Sequence, residues 1–241
     1  MVDTVKIQDK KQTKIIAHRG ASRLERENTL PAFIAAGNRT YFGAECDIHV
    51  TTDGKYLVYH DNETERLCDK NLILEENDSE TLRALRLKEI DSEEFSETLK
   101  IPTFEEYLAV LSRYGKTAVV ELKNRMKEEN IREVIDICKK RYTLDRVIFI
   151  SFDFDNLLTV RKILPEQPVQ FLTGELTEGL IDTLAEHKID ADIGWWTLSE
   201  EVLAQFHAKG VKVNCWTCDD PKVAENLIAW SVDYITSNVL E

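Results

Sequence analysis

The chain has 241 residues, 43% hydrophobic and 31% charged, enough for a sizeable core in one large domain or two small ones. A formal net charge of -13 argues against broad nucleic-acid binding, which needs a basic stripe, and disfavours adsorption to anionic membranes. An acidic chain of this kind can still handle phosphates where a metal and a few local cations neutralise a site.

The first fourteen residues are polar, which argues against a secretory leader, and no run approaches the ~18 apolar residues of a membrane span. Five scattered cysteines read as free thiols in a reducing compartment. The expectation is a cytoplasmic protein without stable membrane association. Nothing in the sequence marks an oligomeric state.

In chain order, residues 14–18 read as a strand and 29–38 as a helix with Pro31 in its first turn. The stretch from Ala44 to Asp61 is the most informative. Alternation puts Glu45, Asp47 and His49 on one strand face and Ala44, Cys46, Ile48 and Val50 on the other. The second set suits packing against helices; the first suits a site. Asp53-Gly54 predicts a two-residue hairpin turn, which pairs Thr52 with Lys55 and sets Asp47 opposite His60.

Further strands are predicted at 117–123, 147–152, 169–173, 191–196, 211–217 and 233–236. Helical patterns fall at 103–114, 130–142, 155–164, 177–188, 199–209 and 221–230. The strand at 56–60 follows a turn too short for a crossover, so it runs antiparallel to its predecessor. Setting it aside leaves eight strands for eight parallel slots, and strand–helix alternation predicts a (β/α)₈ TIM barrel spanning 1–241 as a single catalytic domain. The acidic stretch at about 61–100 interrupts the rhythm as an inserted segment after the His60-Asp61 pair. A helix is expected at 79–90, capped by Asp78 or Ser79.

Polar residues gather where strands end. His18-Arg19-Gly20 closes the first strand, and Glu121 and Lys123 share a face of the strand at 117–123. Three carboxylates (Glu45, Asp47, Glu121) held together need a hard cation such as Mg²⁺ or Ca²⁺. His18 and His60 exchange protons near neutrality, while Arg19 and Lys123 suit phosphate oxygens. That inventory fits metal-assisted phosphoryl chemistry or metal-assisted enolisation.

These segments, with Glu27-Asn28-Thr29, Thr52-Asp53-Gly54, Ile101-Pro102-Thr103, Ser151-Phe152 and Trp216-Thr217, stand in the order and spacing of the glycerophosphodiester phosphodiesterases, which the chain resembles over about residues 14–237. The resemblance implies a phospholipase-C-like TIM barrel that hydrolyses glycerophosphodiesters to an alcohol and sn-glycerol 3-phosphate. It implies a divalent metal, Mg²⁺ or Ca²⁺, on Glu45, Asp47 and Glu121. It further implies His18 and His60 as the acid–base pair, Arg19 and Lys123 on phosphate, and Phe152 and Trp216 as a wall beside the glycerol or leaving group. A lipid-directed phosphodiesterase on the same barrel, acting on a lysophospholipid or phosphoinositide, is the alternative enzyme. A non-catalytic phosphoester-binding module is the alternative outside catalysis.

The chain departs from the family pattern in three places. Arg26 precedes the Glu-Asn-Thr, the segment after His60-Asp61 reads Thr64-Glu65-Arg66-Leu67, and the last strand ends Thr236-Ser237-Asn238-Val239. His49 is expected to support the site or the fold, and His187 and His207 to lie on helices away from it. Cys215 and Cys218 read as a chance spacing on opposite strand faces, and one of Trp195 and Trp196 as core.

Overall fold

The computed structural model describes residues 3–241. Among the described residues, nine strands alternate with eight α-helices: β1 (Lys14–Ala17), α1 (Leu30–Gly37), β2 (Gly43–Val50), β3 (Tyr56–Val58), α2 (Ser79–Arg83), α3 (Phe104–Tyr114), β4 (Thr117–Leu122), α4 (Glu128–Arg141), β5 (Val147–Ser151), α5 (Phe154–Ile163), β6 (Val169–Thr173), α6 (Leu180–His187), β7 (Asp190–Gly194), α7 (Glu200–Ala208), β8 (Val213–Trp216), α8 (Pro221–Ala229) and β9 (Tyr234–Ser237). Eight parallel strands run in the order β1-β9-β8-β7-β6-β5-β4-β2, and the β1–β2 pairing closes them into a barrel. β3 lies outside the ring, antiparallel to the part of β2 that runs past β4. The expected (β/α)₈ TIM barrel is therefore the fold.

Two apolar layers hold it. Outward residues such as Ala44, Cys46, Ile48, Val120 and Phe149 pack with Phe33, Tyr107, Leu108, Val134 and Leu157 from the helices. Inside the ring, Ile16, Val119, Ile148, Ile150, Leu172 and Tyr234 form a smaller cluster. Glu45 and Asp47 face the same interior and are buried, which sets the polar face of β2 against the site rather than against helices. Local chemistry supports the helices. Thr103 and Glu106 form a reciprocal capping box at α3, and Gly115 ends that helix in the left-handed region at φ 62°.

Three local expectations change. The hairpin pairs Ile48 with Val58 and Val50 with Tyr56, and the Thr51 N–H donates to the Lys55 carbonyl, so Thr52-Asp53-Gly54 forms a three-residue loop with Gly54 at φ +70°. The register is one residue off the predicted one, and the Tyr59 N–H, not His60, donates to the Asp47 carbonyl. The predicted helix at 79–90 stops at Arg83, capped by Asp78, because Leu85 and Leu87 alternate inward and Leu87 bridges to Cys68. Cys218 lies beyond the end of β8, and both its sulfur and that of Cys215 pack in the layer between barrel and helices.

The segment at 61–100 has a small core of its own, in which Leu67, Cys68, Leu74, Leu82, Leu85 and Leu87 pack on Leu57, Tyr59 and Ile101. Among the described residues, no helix is long and apolar enough to cross a membrane.

Candidate active site

The site is assembled where strands end. Just past β1 and His18, Arg19 takes a left-handed φ of 54°, and Gly20 follows at φ 80°. A Cβ on Gly20 would lie 2.7 Å from the Ala32 backbone, so only glycine lets this turn press against α1. The turn aims the Arg19 N–H at Glu45 Oε2, 2.8 Å away. Parallel register sets Asp47 beside Glu121 on β4.

Glu45, Asp47 and Glu121 each offer an oxygen within 4.8 Å of the others, and all three are buried. Lys123 Nζ stands 2.9 Å from Glu121 Oε1 and 3.5 Å from Asp47 Oδ1; Arg19 Nε stands 3.7 Å from Asp47 Oδ2. Asn28 Nδ2 donates to Asp47 Oδ2 at 2.8 Å. Such crowding splits the titrations. Burial and the neighbouring Asp47 charge push Glu45 well up and Glu121 up to about 8. Burial would raise Asp47 too, but Arg19 and Lys123 outweigh it and hold this carboxyl well below the usual range. Buried carboxylates that crowd until two are driven toward the neutral acid suit a divalent cation, whose charge would relieve both burial and repulsion. The donor set is all oxygen, as hard cations require, so the trio can hold such an ion.

The two histidines border this trio with different neighbours. His18 Nδ1 meets Asn238 Oδ1 at 2.8 Å. His18 is half-buried and lines the cleft, and burial with the adjoining Arg19 charge pushes its pKa down to about 4. His60 Nδ1 meets Asp61 Oδ1 at 2.6 Å, and Arg66 from the inserted segment donates from Nε to Asp61 Oδ2 at 2.7 Å. Arg66 also grips Glu27 with both terminal nitrogens, at 2.9 and 2.8 Å, and Glu27 accepts from Arg19 at 2.8 Å. Burial would raise Glu27, but the two arginines overcome it and hold it down at about 2. Burial also lowers His60, with Arg19 and Lys123 adding to the effect against Asp47 and Asp61.

Two adjoining hollows open here. One, of about 510 Å³, is lined by His60, Glu121, Lys123 and Asp153; the other, of about 120 Å³, by His18, Arg19, Glu45, Asp192 and Trp216. Phe152 borders both. Phe152, Trp216 and Trp196 meet edge to face along the rim, with centroid separations of 5.7 and 5.6 Å, and Phe152 and Trp196 are more than half exposed.

Every residue singled out in the sequence for this chemistry thus lines one cleft or borders the acidic trio. Sequence reasoning overlooked four others. Asn28 was visible within the Glu-Asn-Thr segment, and its left-handed φ of 54° explains its reach to Asp47. Arg66 had a trace in the retained arginine after His60-Asp61. Asp192, buried on β7 with Oδ1 unpartnered, and Asp219, which grips Asn238, gave no local signal. His49 is fully buried between Glu75 of the insertion and the His60 carbonyl. His207 pairs with Asp233, and His187 packs on Phe154, both outside the cleft.

A closed parallel barrel with carboxylates, histidines, an arginine and a lysine gathered where its strands end has the layout of a barrel enzyme. Residues 18–241 match the family model described as the glycerophosphoryl diester phosphodiesterase family. The chain belongs to that family. It is 27% identical to a glycerophosphodiester phosphodiesterase of Bacillus altitudinis over 234 residues, 92% of this chain and 93% of that one. A Parabacteroides distasonis glycerophosphodiester phosphodiesterase has a solved structure that superposes with a TM-score of 0.77 at 27% identity, covering 94% of this chain and 93% of the other. An Oleispira antarctica phosphodiesterase, solved with the product sn-glycerol-3-phosphate, matches with a TM-score of 0.86 at 24% identity, covering 94% and 93% of the two chains.

Proposed function

We propose that the protein is a divalent-metal-dependent hydrolase of glycerophosphodiesters, releasing an alcohol and sn-glycerol 3-phosphate, with His18 and His60 exchanging the protons. The observation that carries this reading is the buried trio Glu45–Asp47–Glu121 flanked by both histidines and by Arg19 and Lys123. Mg²⁺ or Ca²⁺ suits the trio, and the ion when bound would supply charge neutralisation at the phosphoryl oxygens. Arg19, whose buried Nε lacks a hydrogen-bond partner, and Lys123 would orient the phosphoryl group. One histidine takes the proton of the attacking hydroxyl, that of water or the substrate's glycerol 2-hydroxyl. The other protonates the alcohol as its bond to phosphorus breaks.

The chain acts as one catalytic domain over 1–241, to which the insertion contributes through Arg66. Its buried, unpaired cysteines suit a cytoplasmic setting. The test is release of sn-glycerol 3-phosphate from glycerophosphocholine and related diesters, with Mg²⁺ or Ca²⁺, against His18→Ala and chelator controls. Metal-dependent release that disappears in the variant supports the reading; no release from any diester overturns it. A diester lacking the glycerol 2-hydroxyl should turn over very poorly if that group attacks, and normally if water does.

One observation favours the lipid-directed alternative: the exposed Phe152 and Trp196 beside Trp216 at the cleft mouth. A lysophosphatidylcholine turned over faster than glycerophosphocholine, with the preference lost in Trp196→Ala, would select it.

A further inference from the structure

His18 and Asn238 are 220 positions apart in the sequence, and the turn after β9 brings them together. The hydrogen bonds around Asn238 leave little freedom. Asp219, following β8, accepts from the Asn238 backbone N–H at 2.8 Å, from Asn238 Nδ2 at 2.7 Å and from Ser237 Oγ at 2.8 Å. A carboxylate only accepts, so the Asn238 side-chain atom facing Asp219 must be the amide NH₂. Its Oδ1 therefore faces the other way, where it accepts from Ser22 Oγ at 2.8 Å and meets His18 Nδ1 at 2.8 Å. An amide oxygen cannot donate, so the proton in the His18 contact belongs to Nδ1.

We propose that Asn238, clamped by Asp219, is a positioning residue that fixes His18 as the neutral Nδ1–H tautomer, leaving Nε2 as the lone-pair nitrogen offered to the cleft. The inference rests on the phosphodiesterase reading for its catalytic meaning, and on the hydrogen-bond chain alone for the tautomer. In the reaction, the O–H bond of the attacking hydroxyl breaks as an Nε2–H bond forms, giving an imidazolium that returns its proton in a later step. Burial and the adjoining Arg19 charge disfavour that cation and outweigh the hydrogen bond to Asn238, and the low pKa of His18, about 4, agrees with a neutral resting imidazole. Among the described residues Nε2 makes no hydrogen bond within the protein, and His18 lines the smaller hollow beside Glu45 and Asp192.

The test is a ¹⁵N-histidine long-range correlation spectrum at neutral pH, tractable because the chain has five histidines. The signal that disappears in His18→Gln identifies the residue. The expected pattern is Nδ1–H in the wild type and a shift toward Nε2–H in Asn238→Leu, with kcat reduced roughly 10–100-fold and KM little changed, the scale of losing an orienting neighbour. The exchanged pair Asp219→Asn/Asn238→Asp keeps an acceptor at Nδ1 and a donor behind it. It should restore the Nδ1–H pattern and much of kcat, with the acidic limb of the kcat/KM–pH profile moved upward by the new carboxylate. An Nε2–H wild type, or an Asn238→Leu protein that keeps Nδ1–H, overturns the proposal. Failure of every diester substrate would overturn the phosphodiesterase reading while the spectrum still decides the tautomer.

Discussion

The two histidines of the cleft are held by opposite kinds of neighbour. His60 is backed by a carboxylate, Asp61, in an ion-pair chain that runs through Arg66 and Glu27 to Arg19. His18 is backed by an amide oxygen whose own orientation is fixed by Asp219. A carboxylate stabilises an imidazolium strongly, whereas a neutral amide oxygen orients the ring and supports its charge far less. The supports also differ in origin: Arg66 belongs to the inserted segment, Asn238 to the end of the barrel. The two imidazoles of the cleft therefore sit in different electrostatic settings.

The largest effect expected is one that removes what both histidines share. Asp47 is the carboxyl held most firmly as the anion and touches Asn28, Arg19 and Lys123. Asp47→Asn should reduce kcat/KM by roughly 10³-fold or more, the scale of losing a metal's several kcal/mol of charge stabilisation. Steady-state rates at raised Mg²⁺ or Ca²⁺ check whether added metal rescues it; none is expected. Next, His60→Ala should cost on the order of 10²–10⁴-fold in kcat, the usual worth of a positioned acid or base.

Breaking only the support of His60 should cost less. Arg66→Met leaves Glu27 and Asp61 without their bidentate and Nε partners, and a fall of roughly 10–100-fold in kcat is expected. The tautomer of His18 should be untouched, since no bond in that chain reaches Asn238. A changed His18 signal in Arg66→Met would show that the two supports are not separate.

The smallest effect concerns stability. The folded protein holds His18 near pKa 4 against an ordinary 6.5, so the unfolded chain takes up this proton first as pH falls. Between about pH 6.5 and 4 this residue makes the folded state lose stability on acidification, at no more than about 1.4 kcal/mol per pH unit. Urea unfolding of His18→Gln across that window should show a shallower decline than the wild type. Equal slopes would mean that His18 titrates alike in both states.

The barrel was legible because its alternation of period-2 and period-3.6 segments repeats along the chain, and Glu45 with Asp47 because alternation separates them from Cys46 and Ile48. Short-range ambiguity explains the errors. Asp53-Gly54 suits a two-residue turn, but Gly54 equally supplies the left-handed residue of a three-residue loop, and one residue of slip moves His60 out of register with Asp47. Leu82 and Leu85 imitate a helical stripe that Leu85 and Leu87 contradict by alternating into the insertion's core. The supports of the histidines were beyond local reading. Arg66 is 39 positions from Glu27 and Asn238 is 220 from His18, and neither residue type announces its partner.

Metal binding by the acidic trio is the central claim, and the most direct measurement follows metal binding and sn-glycerol 3-phosphate release together on chelator-treated protein. Titrating in Mg²⁺ or Ca²⁺ should load one ion per chain, with protons released because Glu45 and Glu121 resist ionisation without a cation. Activity should rise along the same curve, and both should be absent in Glu45→Gln/Glu121→Gln. Full activity in the chelator-treated protein, or unaltered metal binding in the double variant, would contradict it.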